Sequence, residues 1–219
     1  MNAERGRPRS FDTDTALEQA TQVFWRHGFQ GTSFAELTEA TGLSKPSLYA
    51  AFGDKESLYL RCLERYVARQ VDLHTELLDS EPDTRSAVEG FLRTMAAMQA
   101  DPKLPGGCFI VNGTADCGSP GTPAAVDEAL RKVSGGTTQR LLKRLQLAER
   151  DGELPPGTDA KRLANLFSAV LTGMAVMVKT GQSKARLEDV VDAAMMVWPK
   201  TSTSRSRPKA GDKARVKAR

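Results

Sequence analysis

Apolar residues recur along this chain at the spacing of α-helices, whereas the alternating pattern of β-strands is nearly absent. In the first such segment, Ala16, Leu17, Ala20, Val23 and Phe24 fall on one helical face, because residues three, four and seven positions apart share a face. Segments with this spacing continue to residue 198. The pattern predicts an all-α protein of nine helices.

Capping residues mark where the first four helices begin. Asp12, Ser44 and Asp54 each stand directly before a helical segment, and Ser33 with Glu36 forms the S-x-x-E capping box. These residues predict two helices of about eight residues within residues 33–52, and a long helix after them.

Glycines indicate where helices end or weaken. Gly28 predicts the end of the first helix. In the second half of the chain we expect one long helix over residues 123–151, with Gly135–Gly136 as its weak point. Helices over residues 159–181 and 187–198 complete the prediction.

The composition is that of a soluble globular protein, with 219 residues of which 40% are hydrophobic and 26% charged. No apolar run approaches the roughly 18–20 residues that a membrane span needs. The basic N-terminus has no apolar stretch behind it, so it does not resemble a secretory signal. We therefore expect a cytoplasmic protein with no membrane partner. Three cysteines in a chain of this size do not form a disulfide framework.

Basic residues concentrate at both ends of the chain. The formal net charge is +4, yet residues 200–219 alone carry eight basic residues against Asp212. The N-terminal arm, residues 1–9, carries Arg5, Arg7 and Arg9. Basic ends favour a polyanionic partner, and a solubilising, disordered tail is the alternative interpretation of residues 200–219.

A helix-turn-helix pattern covers about residues 33–52, where two short helices are joined by Gly42-Leu43-Ser44. On the second helix, Leu48 and Phe52 share the side that must pack inward. The opposite side is small and polar, flanked by a cation and a phenol: Lys45, Pro46, Ser47, Tyr49 and Ala50. Small residues let a helix approach base edges, and Lys or Tyr reaches phosphates. The pattern predicts DNA reading, with an ordinary three-helix packing unit as the alternative.

The run from Phe11 to Tyr66, with its GF-x-GTS link and its ATGLSKPSLYAAFGDKESL block, resembles the DNA-binding domain of TetR-family transcriptional regulators. The resemblance implies a nine-helix homodimer, with a DNA-binding domain at residues 10–66 and an effector-binding and dimerisation domain at residues 67–199. It also implies a repressor that leaves a palindromic operator in double-stranded DNA when a small-molecule effector binds.

The same resemblance assigns DNA contacts by position. Thr32 and Ser33 match the place where the second helix meets phosphate, and Tyr49 and Lys55 match the family's phosphate-contacting Tyr and Lys. The arginines of the basic arm match a minor-groove segment of some members. Together with the outward residues of the third helix, the predicted DNA-binding set is Arg7, Arg9, Thr32, Ser33, Lys45, Pro46, Ser47, Tyr49, Ala50 and Lys55.

Dimerisation is also expected on physical grounds, because one short helix reads only a few base pairs. Two helices related by a two-fold axis read a palindrome with half-sites roughly 34 Å apart. The segment 159–181 is apolar on more than one face and must bury two sides, unless it is a fully internal core helix. The predicted interface comprises Leu163, Phe167, Val170, Leu171, Val190, Val191, Ala194 and Trp198.

An effector pocket is predicted from aromatic and sulfur-containing residues of the second domain: Phe91, Met95, Met98, Cys108, Phe167 and Met174. The same residues at helical spacing also fit a plain hydrophobic core. Few charges lie on these faces, which favours an apolar or aromatic effector.

Cys108 supports an alternative function. The segment GCFIVNGTADCG resembles that of family members whose cysteine senses oxidants or electrophiles, so a repressor switched through Cys108 is the second hypothesis. No Lys, Arg or His adjacent in the sequence would activate this thiol, and a buried apolar role fits Cys108 and Cys117 as well.

Other chemistries find little support in the sequence. His27 and His74 have no partner at metal-ligand spacing, which predicts no metal site and no cofactor. No nucleophile–base pair, glycine-rich phosphate loop or pair of carboxylates predicts an enzyme.

Overall fold

A computed structural model describes residues 11–199, and every regular element in that range is helical. The ten α-helices are α1 Thr13–Gly31, α2 Phe34–Thr41, α3 Lys45–Phe52, α4 Lys55–Asp79, α5 Thr84–Gln99, α6 Phe109–Gly113, α7 Ala124–Val133, α8 Gly136–Arg150, α9 Ala160–Lys179 and α10 Lys184–Met195. A 3-10 turn over Thr114–Asp116 follows α6. Nine of these helices have at least eight residues and α6 has five. The predicted all-α fold of nine helices is confirmed, with α6 as an addition.

The first four helices begin where side chains satisfy backbone N–H groups of the first turn. Asp12, Ser44 and Asp54 each accept a hydrogen bond from an N–H two or three residues further on, at 3.0, 3.3 and 2.8 Å. Ser33 and Glu36 form the reciprocal capping box. The predicted caps are confirmed, and each stabilises its helix by about 1 kcal/mol.

The chain leaves helical geometry at Gly28, although helix α1 resumes and runs to Gly31. Gly28 has φ +74° and ψ −176°, which L residues rarely adopt. A Cβ at this position would lie 2.6 Å from Oδ2 of Asp116. The helix end predicted at Gly28 is found as a break, after which the helix runs three residues further. Both the backbone angle and the close approach require glycine.

The expected single helix over residues 123–151 is wrong, because the chain forms two helices separated at Ser134–Gly135. Glycine is a poor helix former, and the weak point at Gly135–Gly136 is where α8 begins. The break lets α7 pack into one apolar cluster while α8 packs into another. Helix α10 begins at Lys184 rather than residue 187, because Ser183 caps it.

Two apolar clusters organise the described residues. Helices α1–α4, together with residues of α6 and α7, form the first, in which the Tyr59 ring meets Phe24, Phe29 and Phe109 edge-on at 5.0–5.4 Å. Helices α5, α8, α9 and α10 form the second, which also includes Leu78 at the end of α4. Because α4 belongs to both clusters, it joins the helix-turn-helix to the remaining helices. The predicted domain boundary at residue 66 stays a prediction.

Helix α9 is apolar around much of its circumference. Its mean hydropathy reaches 1.2 with 28% of the window buried, so by length and composition alone it is fit to cross a membrane. By this measure the expectation that no apolar run approaches that length is wrong. A core helix passes the same test, and one face of α9, with Phe167 and Met174, packs into the second cluster.

Candidate nucleic-acid interface and candidate effector cavity

The helix-turn-helix consists of α2 and α3, which are joined at Gly42 in the left-handed conformation, with φ +65°. Leu48 and Phe52, 1% and 2% exposed, anchor the inner side of α3 in the first cluster. Arg61 of α4 donates a hydrogen bond to the carbonyl of Ala51 at 3.3 Å. These contacts hold α3 in one orientation on the three-helix unit.

The outer side of α3 presents four exposed residues, Lys45, Pro46, Tyr49 and Ala50. Ser47 is half-buried, and its hydroxyl oxygen lies 2.9 Å from that of Ser44. The five outward residues predicted from the sequence therefore lie on or beside one solvent-facing surface. Its small side chains leave room for close approach to the edges of base pairs.

A stack of Phe34, Tyr49 and Lys45 lies beside this surface. The two rings are 5.0 Å apart and nearly parallel, at 22°. The Lys45 Nζ lies 4.9 Å from the centroid of Phe34 and 5.9 Å from that of Tyr49. Ring stacking and cation–π attraction restrict the side chains of Lys45 and Tyr49. Their contacts with phosphate stay a prediction.

Thr32 and Ser33 use their hydroxyl groups within the protein. Thr32 is 2% exposed and donates to the carbonyl of Gly28 at 2.7 Å. The Ser33 hydroxyl donates to Oε2 of Glu36 at 2.8 Å and accepts from the Glu36 N–H at 3.2 Å. Both residues therefore position the start of α2, where the remaining N–H groups of the first turn suit a phosphate.

Lys55 lies in the first turn of α4, with Nζ 4.7 Å from the ring centroid of Phe29. Burial lowers the pKa of Lys55, while the carboxylates of Asp116 and Glu36 act in the opposite direction. A cation at a helix N-terminus opposes the helix dipole. An anion beside Lys55 would raise its pKa and offset the repulsion from the helix dipole. The predicted phosphate contact of Lys55 stays a prediction.

Arg7 and Arg9 of the predicted DNA-binding set lie outside the described residues, as do Arg5 and the basic segment 200–219. Their contacts with DNA stay predictions.

A carboxylate from the turn after α6 binds the break in α1. Oδ2 of Asp116 accepts hydrogen bonds from the backbone N–H groups of Phe29, at 2.7 Å, and Gln30, at 3.3 Å. The Gln30 side-chain amide donates to the hydroxyl of Thr122 at 2.7 Å. Sequence analysis did not identify this link, because no local pattern connects residues so far apart.

A cavity of about 270 Å³, here called the central cavity, is lined by residues of α4, α5, α6, α8 and α9 and of the α7–α8 junction. Of the residues predicted for an effector pocket, Met95 and Cys108 line it. Met98 lines a separate cavity beside Trp25 and Tyr66. The other three are fully buried in the second cluster: Phe91, Phe167 and Met174.

Sequence analysis missed the polar side of the central cavity. Its wall carries two cations and several uncharged hydrogen-bonding groups, among them Lys132, Arg140, Gln70, His74 and Gln99. Val67, Gln70 and His74 recur on one face of α4 at helical spacing. Such a face, which mixes apolar and polar residues, is the signal that indicates a cavity rather than a core.

Cys108 is half-buried at the central cavity, and its Sγ accepts a hydrogen bond from the Tyr66 hydroxyl at 3.5 Å. Burial raises the pKa of the Cys62 thiol to about 12. Burial also raises the pKa of Cys117, and Asp127 acts in the same direction. Cys62 and Cys117 are therefore protonated at neutral pH. None of the three cysteines is disulfide-bonded.

Metal-binding chemistry has no candidate site in the described part of the chain. Within residues 11–199, no three His, Cys, Asp or Glu side chains are grouped so as to hold a metal ion.

The residues predicted for a dimer interface lie at different depths in the protomer. Four are buried in it: Phe167, Leu171, Val191 and Ala194. Four are half-buried: Leu163, Val170, Val190 and Trp198. The exposed large apolar residues of α9 and of the segment after α10 are others: Leu166, Val176, Met196 and Val197.

Helix α3 is exposed on an N-terminal helical unit. Helix α4 joins that unit to a second one, whose cavity has both polar and apolar walls. This arrangement is that of a helix-turn-helix regulator. Residues 16–62 match the family model described as "Bacterial regulatory proteins, tetR family". Residues 73–194 match the model described as "Tetracyclin repressor-like, C-terminal domain". The chain belongs to the TetR family, a class of DNA-binding transcriptional regulators and not of enzymes.

Individual relatives agree with this assignment. The chain is 33% identical over 201 residues to the HTH-type transcriptional repressor ComR of Escherichia coli strain K12, over 91% of this chain and 94% of that protein. It is 25% identical over 194 residues to the HTH-type transcriptional regulator YezE of Bacillus subtilis strain 168, over 88% and 98%. A solved cysteine mutant of the TetR family regulator CifR, complexed with 26bp double-strand operator DNA, has a TM-score of 0.83 at 38% identity, over 89% of this chain and 100% of that chain.

Proposed function

We propose that this protein is a homodimeric repressor that binds a palindromic operator through α3 of each subunit and leaves it when a small molecule occupies the central cavity. The exposed face of α3 beside the Lys45–Tyr49 stack carries the proposal. Similarity to the repressor ComR and to CifR, solved with operator DNA, supports it over most of the chain. Operator binding would place its action in the cytoplasm.

The proposed assignment of functions follows the predicted boundary at residue 66. Residues 10–66 bind DNA, and residues 67–199 hold the effector and the dimer contact. The basic arm at residues 1–9 and the basic segment at residues 200–219 add electrostatic attraction to DNA. The exposed apolar and small residues of α9 and α10 favour a second copy of the chain as the partner.

The test of DNA reading is a gel shift with the full chain and the DNA upstream of its own gene. Ala50→Glu should abolish binding, because the longer, charged side chain blocks the groove-facing surface. Ala68→Glu, at an exposed position in the middle of α4, is the matched control and should bind like the wild type. Failure of the wild-type protein to shift any palindrome in that DNA at low salt would contradict the proposal.

The proposed release of the operator by an effector is supported by one continuous set of contacts. Ile110 and Val111 of α6 line the central cavity, and Phe109 is fully buried against the rings of Tyr59 and Tyr66. The chain then turns into Asp116, which holds the break in α1. A ligand that displaces α6 would therefore move the carboxylate that sets the approach to α2.

A thiol switch at Cys108 is the second candidate function, favoured by the position of its Sγ at the cavity wall and beside the Tyr66 hydroxyl. Addition of the thiol to an electrophile such as N-ethylmaleimide would place bulk between α4 and α6. Cys108→Ser should bind DNA normally and ignore the reagent, whereas Cys117→Ser should respond like the wild type. A response retained in Cys108→Ser would exclude this mechanism.

A further inference from the structure

Two basic side chains and no carboxylate line the central cavity. Arg140 is half-buried, and Lys132 is exposed to solvent at its edge. Within residues 11–199, neither cation has a carboxylate oxygen within 4.0 Å. Burial lowers the pKa of Arg140, as expected for a guanidinium partly removed from water without a counter-ion. A bound anion would supply the missing counter-charge.

His74 is a buried polar group that lacks a partner and lines the same cavity. It is 4% exposed, and neither Nδ1 nor Nε2 has a hydrogen-bond partner in the protein. Burial and the nearby Arg140 lower the pKa of His74 to about 4, so the ring is neutral at pH 7 and offers one donor and one acceptor. Buried polar groups in native proteins are normally hydrogen-bonded, so a partner is expected in the cavity.

Gln99 adds a second unsatisfied atom. Its Nε2 donates to the carbonyl of Leu171 at 3.3 Å, while its buried Oε1 has no partner in the protein. The amide orientation thus leaves an acceptor at the cavity wall. A ligand with a hydrogen-bond donor would satisfy this acceptor.

The start of α8 contributes further to an anion site. No side chain caps this helix, and Gly136 and Thr137 of its first turn line the cavity. Free N–H groups at a helix N-terminus attract negative charge. Gly136 also leaves room for Arg140, because a Cβ at residue 136 would lie 3.3 Å from Nη1 of the guanidinium.

The rest of the wall is apolar and sets the size of the ligand. Six apolar side chains line the cavity: Val67, Met95, Ile110, Val111, Val133 and Leu171. The volume of about 270 Å³ is near the lower end of small-molecule sites. It suits a body of one ring or a short branched chain.

We propose that the central cavity binds a small organic carboxylate with an apolar body and a hydroxyl group, its charge held by Arg140 and Lys132 and its polar atoms paired with His74 and Gln99. This inference rests on the proposed function, since it names the class of effector. It adds a negative charge to the apolar or aromatic effector that the sequence favours, because Lys132 of α7 and Arg140 of α8 line the cavity.

The test is calorimetric titration of the full chain with matched pairs of acid and amide: 4-hydroxybenzoate with 4-hydroxybenzamide, and benzoate with benzamide. At least one acid should bind at least tenfold more tightly than its amide. Arg140→Gln should weaken that acid at least tenfold, whereas Lys143→Gln, at an exposed position of the same helix, should leave it unchanged. Thermal melting of each variant shows whether it is folded, and the acid–amide comparison on the wild type stands without any variant.

Equal binding of acid and amide would overturn the inference, as would the absence of binding by every acid at millimolar concentration. Binding of the acid is measured without DNA, so the result does not depend on whether the protein binds an operator. An acid that binds through Arg140 without releasing the operator supports the anion site and contradicts effector release. A protein that binds no operator but does bind the acid contradicts only the proposed function.

Discussion

The backbone N–H of Phe29 donates a 2.7 Å hydrogen bond to Oδ2 of Asp116, which lies 87 residues further along the chain. The break at Gly28 leaves this N–H without a helical acceptor, and the carboxylate supplies one. The bond connects the turn after α6, a helix that lines the central cavity, with the segment that leads into α2. Substitution of Asp116 is therefore the most direct test of whether the central cavity and the DNA-binding helices are coupled.

Asp116→Ala should lower the free energy of unfolding by about 1.5–3 kcal/mol, the range for a hydrogen bond to a charged group. It should also weaken operator binding, because α2 is less firmly positioned. Asp116→Asn keeps an acceptor oxygen and should recover part of both losses.

The control for this prediction is Asp127→Ala, which removes a similar bond, at 2.9 Å, to the N–H of Gly118. That bond joins the segment after the 3-10 turn to α7 and involves no residue of α1. If the two alanine variants bind the operator equally well, Asp116 has no special role in positioning the reading unit. Urea unfolding and fluorescence anisotropy with labelled operator give the two measurements.

Lys45 and Tyr49 should affect DNA affinity in different ways. Tyr49→Phe keeps the stack on Phe34 but removes the hydroxyl, and it should weaken binding roughly fivefold per subunit, as for one lost hydrogen bond of about 1 kcal/mol. Lys45→Gln should make the slope of log K, the association constant for operator DNA, against log salt concentration less steep by about one unit per subunit. Lys103→Gln, at an exposed position in the loop after α5, should change neither quantity. A wild-type salt slope in Lys45→Gln would show that this lysine does not contact phosphate.

Gly173→Arg tests the dimer surface without disturbing the protomer. Gly173 lies on the exposed face of α9, and a Cβ there meets nothing within 4 Å. An arginine at this position should therefore leave the protomer folded and prevent close packing against a second α9. Gly90→Arg is the matched control, since Gly90 is exposed on α5 with equally open space. Sedimentation should show a monomer for Gly173→Arg and a dimer for Gly90→Arg, and a dimer in both would place the interface elsewhere.

His74 should make the protein less stable in acid. Its pKa falls from an ordinary value of 6.5 to about 4 in the folded protein, because of burial and then Arg140. The unfolded chain therefore binds a proton more readily, and stability that is complete above pH 6.5 is lost as the pH falls towards 4. The expected loss is about 2 kcal/mol between pH 7.5 and pH 5.

Urea unfolding at these two pH values measures the effect of His74. His74→Phe should remove most of the pH dependence, whereas His27→Phe, at an exposed position, should retain it. If the free energy of unfolding falls equally between the two pH values in the wild type and in His74→Phe, other groups cause the acid sensitivity.

Deletion of residues 200–219 should weaken binding to all DNA sequences by a similar factor and flatten the salt dependence, because eight basic residues are removed with one acidic residue. Competition with random DNA separates this effect from a loss of operator reading. An unchanged salt slope would show that the segment takes no part in binding.

Local patterns predicted much of the fold because helix caps and helical periodicity act over a few residues. Ser33 and Glu36 form their capping box within four positions of the chain. Leu48 and Phe52 lie one turn apart on the buried side of α3, which leaves Lys45 and Tyr49 exposed. These relationships need no knowledge of distant residues.

Periodicity failed where it had to separate a core from a cavity. Phe91, Phe167 and Met174 have the spacing of a buried face and are buried, but they pack against other side chains rather than line the central cavity. A period of 3.6 residues shows that one side of a helix leaves water, and it does not show what that side meets. Lys132 and Arg140 lie on opposite sides of the break at Ser134–Gly135 and both line the central cavity, which no segment of the sequence indicates alone.

The sequence by itself determined that this chain is helical, where its first helices begin, and which side of α3 faces outward. It also carried the family resemblance that the comparisons confirm. Only the tertiary structure decided that Asp116 holds the break in α1 and that His74, Gln99 and Arg140 share one cavity. The physical reason is range: caps and periodicity are set by neighbours within about one or two turns, whereas these contacts depend on how separate helices pack.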